Sequence, residues 1–226
     1  MSFTDDAWAR TASLRTAIEE LAFLAELADG TLAPAAFRHY LEQDARYLAG
    51  YAKALALLAA RAPDAAAGSF WARASHTTGV VEAQLHQDLL GGELLAAAGP
   101  ASGEPDSSPS CLAYVSYLIA CAATEPYPVA AAAVLPCFWV YADTGARLAA
   151  TARATPDHPY ARWVAAYDDP GFQQATSRAR ELVDAAAAAA PGEVPAMHRA
   201  FGTATRYELE FWRSAHVQET WALPLS

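Results

Sequence analysis

Apolar side chains recur along this chain three and four residues apart, the spacing that lines one face of an α-helix. Between residues 37 and 55, Phe37, Leu41, Leu48, Tyr51 and Leu55 form one stripe, Asp44 falls on it between Leu41 and Leu48, and Tyr47 lies one turn further on. Near the end of the chain, Phe201, Thr205, Trp212 and Ala215 form a second stripe with Glu208 in its middle. Helix punctuation fits the same reading. The pattern predicts a first helix from about Asp5 to Ala28, closed by Asp29-Gly30, and a second opened by Pro34 and running to about Arg61. A third starts at Pro63-Asp64 and reaches about Leu90, before Gly91-Gly92. Residues Gly99 to Pro109, rich in Gly, Pro and Ser, read as the main surface loop. Further helices are expected at about Ser110–Ala123, Pro128–Ala152, Tyr160–Tyr167, Gly171–Ala190 and Val194–Val217. Pro136 falls inside one of them and should bend it or free a carbonyl near Cys137. No period-two segment bounded by turns suggests a strand. The expectation is an all-α, single-domain helical bundle over residues 1–226, of roughly seven or eight helices.

Two features of this pattern carry chemistry. A carboxylate on a core stripe is uncommon, because a buried charge needs a partner. Asp44 and Glu208 are two such cases, and Lys53 is the single lysine of the chain. The carboxylates therefore point to a polar cavity inside the bundle. The second feature is Leu135-Pro136-Cys137-Phe138-Trp139-Val140-Tyr141, which sets a cysteine and a tyrosine four residues apart on one helix face. A thiolate is a strong nucleophile, and a phenol one turn away can donate or accept a hydrogen bond beside it. Taken alone, a cysteine on an apolar face is more often a small core residue.

Composition bounds the function. The chain has 226 residues, 54% hydrophobic and 18% charged, enough for a sizeable core, and its abundant alanine favours helix. A net charge of −10 argues against nucleic acid or an anionic membrane as a partner. Three cysteines, Cys111, Cys121 and Cys137, with no CxxC, suit a reducing cytoplasm. The acidic start, Met1 to Asp6, has no signal-peptide pattern, and alanine-rich runs such as Val183 to Ala190 are too short to span a bilayer.

Six ordered elements then combine. They are Gly30-Thr31-Leu32; Phe37-x-x-Tyr40-Leu41-x-Gln43-Asp44-x-x-Tyr47-Leu48; Ala113-Tyr114-x-x-Tyr117-Leu118; Leu135-Pro136-Cys137-Phe138-Trp139-x-Tyr141; His158-Pro159-Tyr160-x-x-Trp163-x-x-x-Tyr167; and Glu208-x-x-Phe211-Trp212. From about Asp29 to Trp221 the chain closely resembles the TenA/thiaminase II family. The resemblance implies a haem-oxygenase-like helical fold without haem, a homotetramer, and no metal or organic cofactor. It implies hydrolysis of aminopyrimidines to 4-amino-5-hydroxymethyl-2-methylpyrimidine in thiamin salvage, with the aminomethyl pyrimidine as the better substrate and thiamin as a further one. By the same resemblance Cys137 would be the nucleophile that adds to the ring, and Glu208 the proton donor and acceptor. Asp44 would bind the ring nitrogen and amino group, Tyr114, Tyr141 and Tyr167 would line the pocket, and Tyr47 would lie near the ring.

Other residues read as scaffold. Cys111 and Cys121 fall outside the motifs; Trp139, Trp163 and Trp212 read as core anchors; His158 reads as a helix-start residue; Tyr40 and Tyr51 fit a core as well as a site. His86, four residues after Glu82, lacks the i, i+3 spacing of di-iron bundles. The chain departs from the family pattern at Leu21-Ala22-Phe23-Leu24, where a His-Pro-Phe is frequent, and at Arg213-Ser214, where an aspartate and a methionine are usual. Two other classes stay open at this point: a haem-oxygenase-like di-iron or cofactorless oxidase, which needs clustered His and carboxylate ligands, and a non-catalytic pyrimidine-binding or regulatory protein.

Overall fold

The computed structural model describes residues 2–91, 95 and 106–223, with residues 81–83, 85–87 and 167 described by backbone alone. Among the described residues every regular element is helical. The N-terminal region forms α1 (Phe3–Arg10), α2 (Ala12–Glu19) and α3 (Ala22–Asp29). The first long helix, α4, spans Pro34–Ala60. Next come α5 (Ala65–His76), a π-helical turn (Thr77–Glu82) and α6 (Ala83–Leu90). The second half holds α7 (Pro109–Thr124), α8 (Tyr127–Ala154), α9 (Ala161–Tyr167), α10 (Pro170–Ala189), a 3₁₀ turn (Pro191–Glu193) and α11 (Val194–His216).

Most ends fall within two residues of the sequence expectation, and the exceptions have local causes. The first helix is three helices. Thr11 turns its hydroxyl back to the Ala7 and Trp8 carbonyls (3.0 and 3.2 Å), and Leu21 takes an extended backbone (φ −65°, ψ 132°). These breaks let α1 pack on α10 and α11, α2 on α11, and α3 on α8 and α11. The helix that Asp64 caps, through a 2.8 Å bond from the Ala67 amide, is interrupted by the π-helical turn. Such turns insert a residue into the helical ladder and often accompany sites. Pro109, expected at the end of a loop, is the first residue of α7, and Ser108 caps it by accepting from the Cys111 amide at 3.2 Å. Residues 99–105 of that loop, and Gly92, lie outside the described residues.

The core is built around α8, which packs against α11, α10 and α9, while α4 packs against α7 and α5. α8 runs through Pro136 without a break. It is long and apolar enough to cross a membrane, but 78% of its most apolar window is buried inside the protein.

Two remote contacts fix the frame. Gly30 closes α3 in the left-handed region (φ 76°), where a Cβ would meet the Pro159 ring at 3.0 Å. Beside it, the His158 Nδ1 accepts from the Tyr160 amide (3.1 Å), which leaves Nε2–H to donate to the Ala28 carbonyl (2.9 Å). The Tyr160 hydroxyl donates to the Leu32 carbonyl. His158 thus joins the start of α9 to the end of α3. Trp163 and Trp212 are fully buried as expected. Trp139 departs from the core role: it is half-buried and stacks on Trp8 (centroids 4.0 Å apart, 13° between planes), with Arg180 over it at 3.8 Å and Arg15 over Trp8 at 3.9 Å. This layered cation–π contact ties α1 and α10 to α8.

Candidate active site

Four helices deliver the site. Helical spacing puts Tyr40, Asp44, Tyr47 and Tyr51 on one face of α4, and Cys137 and Tyr141 one turn apart on α8. α7 contributes Tyr114 and α11 contributes Glu208. Asp44 and Glu208 are each 1% exposed, and Cys137 is 9% exposed.

The carboxyl groups are held by phenols. Tyr114 donates to Glu208 Oε1 at 2.6 Å, a short hydrogen bond. Tyr40 donates to Asp44 Oδ2 at 3.2 Å, and the Tyr141 hydroxyl lies 3.4 Å from that of Tyr40. Tyr40 has one proton and gives it to Asp44, so Tyr141 supplies the hydrogen for the second contact. Burial, with the Asp44 charge adding to it, raises the Glu208 carboxyl to about 8, against the opposing pull of the Tyr114 hydrogen bond. Glu208 is therefore a neutral acid at pH 7. Burial also drives the Tyr40, Tyr47, Tyr51 and Tyr114 phenols well above their ordinary value, so they act as donors and not as bases.

A small cavity sits between α4 and α8. Asp44, Tyr47, Tyr51, Cys137 and Tyr141 line it, with Leu48, Thr78, Phe138 and Phe172. It measures about 20 Å³, room for about one water. Thr78, Phe138 and Phe172 also line a surface groove of about 1130 Å³ beside it. These three side chains stand between the cavity and the groove. The Tyr47 hydroxyl is buried, with Cys137, Glu208 and the Tyr114 hydroxyl around it.

Of the sequence-derived residues, Asp44, Tyr47, Cys137 and Tyr141 meet on the cavity wall. Tyr114 and Glu208 are not on that wall. They lie behind Tyr47, whose ring packs on Tyr114 with centroids 4.9 Å apart. The side chain of Tyr167 lies outside the described residues, as do those of Glu82 and His86. Sequence reasoning left Tyr40 and Tyr51 undecided; one holds Asp44 and the other lines the cavity. It missed Thr78 and Phe172, which come from the π-helical turn and from α10. Among the described residues no group of three His, Cys, Asp or Glu side chains is placed to share a metal ion.

A bundle of this architecture, with a thiol, two carboxyl groups and a set of phenols converging in its core, defines an all-α protein with an acid–thiol site. The chain matches the model of the TENA/THI-4/PQQC family over residues 15–218 and belongs to that family. It is 38% identical over 217 residues to the thiamine biosynthesis multifunctional protein ThiED of Corynebacterium efficiens, covering 96% of this chain and 28% of that protein. The chain thus spans little more than a quarter of the ThiED relative. It is 31% identical over 204 residues to the aminopyrimidine aminohydrolase of Bacillus subtilis, covering 88% of this chain and 84% of that one. In structure it superposes on a TenA homologue from P. horikoshii with a TM-score of 0.85 at 24% identity, covering 96% of this chain and 100% of that one. A domain with a heme oxygenase-like fold from Shewanella denitrificans gives 0.69 at 14% identity, covering 95% and 92%.

The raised carboxyl predicts a pH-dependent cost to folding. Below the ordinary value of 4.5 both the folded and unfolded chain hold the Glu208 proton, and there is no penalty. As pH rises from there to about 8, the unfolded chain releases that proton while the folded chain keeps it, so stability falls. Glu208→Gln, which keeps an acceptor for Tyr114, removes this loss. Denaturant melts should show the variant more stable than the parent by on the order of a few kcal/mol near pH 8, with the difference shrinking towards pH 5. An equal difference at both pH values would contradict a buried neutral carboxyl.

Proposed function

We propose that this chain hydrolyses aminopyrimidines, converting 4-amino-5-aminomethyl-2-methylpyrimidine and water to 4-amino-5-hydroxymethyl-2-methylpyrimidine and ammonia, in thiamin salvage. The observation that carries this reading is the neutral buried acid Glu208 placed behind a cavity lined by a thiol, a carboxylate and phenols. The relative named aminopyrimidine aminohydrolase supports it. Residues 1–226 act as one catalytic unit that works in the cytoplasm as a homotetramer and needs no cofactor.

The chemistry follows from the groups. The Cys137 thiol passes its proton to the substrate's amine as its sulfur adds to a carbon of the electron-poor pyrimidine, and Glu208 supplies a proton to the ring nitrogen that gains the electron pair. The amine leaves the methylene carbon with a proton, now from a ring that has lost its aromaticity. Water adds to that carbon, its proton returns to Glu208, and the sulfur is expelled and takes up the proton of the ring nitrogen as the ring regains aromaticity. Asp44 accepts from the substrate's amino group and orients the ring, with Tyr40 holding the carboxylate in place. Tyr47 and Tyr141, which line the cavity, flank the ring and supply stacking worth about 1 kcal/mol per pair beyond area burial. Admission of the ring requires Phe172 and Thr78 to move aside, since the cavity holds about 20 Å³.

A turnover assay comparing the aminomethyl pyrimidine with thiamin tests the reading. The pyrimidine should be turned over with the higher kcat/KM. Cys137→Ala should lower kcat by about 10² or more with the fold intact, and wild-type turnover by that variant would remove the covalent route. Asp44→Asn should mainly raise KM, whereas Glu208→Gln should mainly lower kcat and abolish the fall in rate as pH rises through about 8. Full kcat with an unchanged pH profile in Glu208→Gln would overturn its role.

The tetramer is tested separately by light scattering at micromolar concentration. A mass near four times 23.9 kDa is expected, and a species of 23.9 kDa alone would contradict it.

A further inference from the structure

Tyr51 has no part in the chemistry above, yet it shares the cavity wall with Cys137. Its ring is immobilised on both sides: it stacks on Tyr47 with centroids 5.5 Å apart and 14° between planes, and it packs against Phe138 at 6.0 Å. Its hydroxyl is fully buried and donates to the Val134 carbonyl at 2.8 Å. Val134 lies three residues before Cys137 on α8. A phenol from α4 thus holds the turn of α8 that leads into Cys137.

The same oxygen is within hydrogen-bonding reach of the Cys137 thiol. With its single hydrogen directed at Val134, that oxygen presents lone pairs to the sulfur. The resting arrangement is a chain in which the Cys137 S–H is accepted by the Tyr51 oxygen and the Tyr51 O–H is accepted by the Val134 carbonyl. We infer that Tyr51 is a positioning residue for Cys137: it fixes the thiol at the cavity wall and, once the thiol has lost its proton, turns its own O–H from the Val134 carbonyl to the sulfur and stabilises the thiolate. Tyr51 keeps its proton throughout, which agrees with a phenol that burial holds well above its ordinary range.

Such a donor has a job to do. The titratable groups around the thiol are Asp44 and Tyr47 of α4, Tyr114 of α7, Tyr141 of α8 and Glu208 of α11. The Asp44 carboxylate disfavours a second negative charge in the same cavity, and Glu208 does so as pH passes about 8. Among the described residues no lysine or arginine lines this cavity. Hydroxyl donors are what remain to offset the repulsion.

The catalytic consequence rests on Cys137 as the nucleophile, but the hydrogen bond does not, so it is read without turnover. Cys137 in the folded protein is alkylated with iodoacetamide across a pH series, and the modified peptide is quantified by mass spectrometry. Tyr51→Phe, which keeps the ring and removes the hydroxyl, should raise the apparent thiol pKa by about one unit, slowing alkylation about tenfold at neutral pH. Under the proposed reaction it should also lower kcat about tenfold while KM changes less than about twofold. An unchanged alkylation profile in a folded Tyr51→Phe protein would overturn the inference, whatever the turnover assay shows. If that variant does not fold, the S–H stretch of Cys137, taken as the infrared difference between the wild type and Cys137→Ala, reads the same bond. A hydrogen-bonded frequency supports the inference, and a free-thiol frequency overturns it.

Discussion

The burial of two carboxyl groups among aromatic rings is the constraint on which the rest of this structure depends. Asp44 and Glu208 lie in the core, and among the described residues no lysine or arginine lines the cavity beside them. Each is instead met by a phenol, Tyr40 for Asp44 and Tyr114 for Glu208. A hydrogen bond from a neutral donor does not compensate a full charge in low dielectric, so burial disfavours the ionised form of Glu208. The molecule resolves this by keeping Glu208 protonated to about pH 8. A core arranged only for stability would carry an apolar residue at that position. A carboxyl held neutral inside the protein is a stored proton, and its place behind a thiol-bearing cavity makes it usable on a ring.

The frame exists to hold these groups in register. α4, α7, α8 and α11 each present one face to the site, and their relative positions are set far from it. The Gly30 corner receives Pro159, His158 joins α3 to α9, and the Trp8–Trp139 stack with its two arginines joins α1 and α10 to α8. Two of the six sequence elements, Gly30-Thr31-Leu32 and His158-Pro159-Tyr160, owe their side chains to that corner and not to the site. The π-helical turn and α10 do the opposite: they bring Thr78 and Phe172 to the boundary between the cavity and the groove.

Asp44 and Glu208 were legible in the sequence because a charge on an apolar stripe contradicts its surroundings. Cys137 and Tyr141 were legible as a pair one turn apart. Tyr40 and Tyr51 were not, because a tyrosine on an apolar stripe satisfies a core and a site equally well, and only the direction of its hydroxyl separates the two. Helix ends followed from Pro, Gly and Asp at their expected places. The breaks at Thr11 and Leu21 did not follow, since the apolar period continues across them and only packing against α8, α10 and α11 requires them. Trp139 shares its motif with buried neighbours, but its face of α8 meets α1 and a half-exposed stack. The cavity size and the place of Glu208 behind Tyr47 depend on how four helices meet, which no single stripe encodes.

The central claim is that Glu208 is a neutral acid near neutral pH. The most direct measurement is the carboxyl titration of the wild-type protein by difference infrared spectroscopy, with Glu208→Gln as the reference that removes its band. The account predicts a protonated carboxyl band assigned to Glu208 that persists through neutral pH and disappears with a midpoint near 8. A Glu208 band lost near the ordinary value of 4.5 would contradict it.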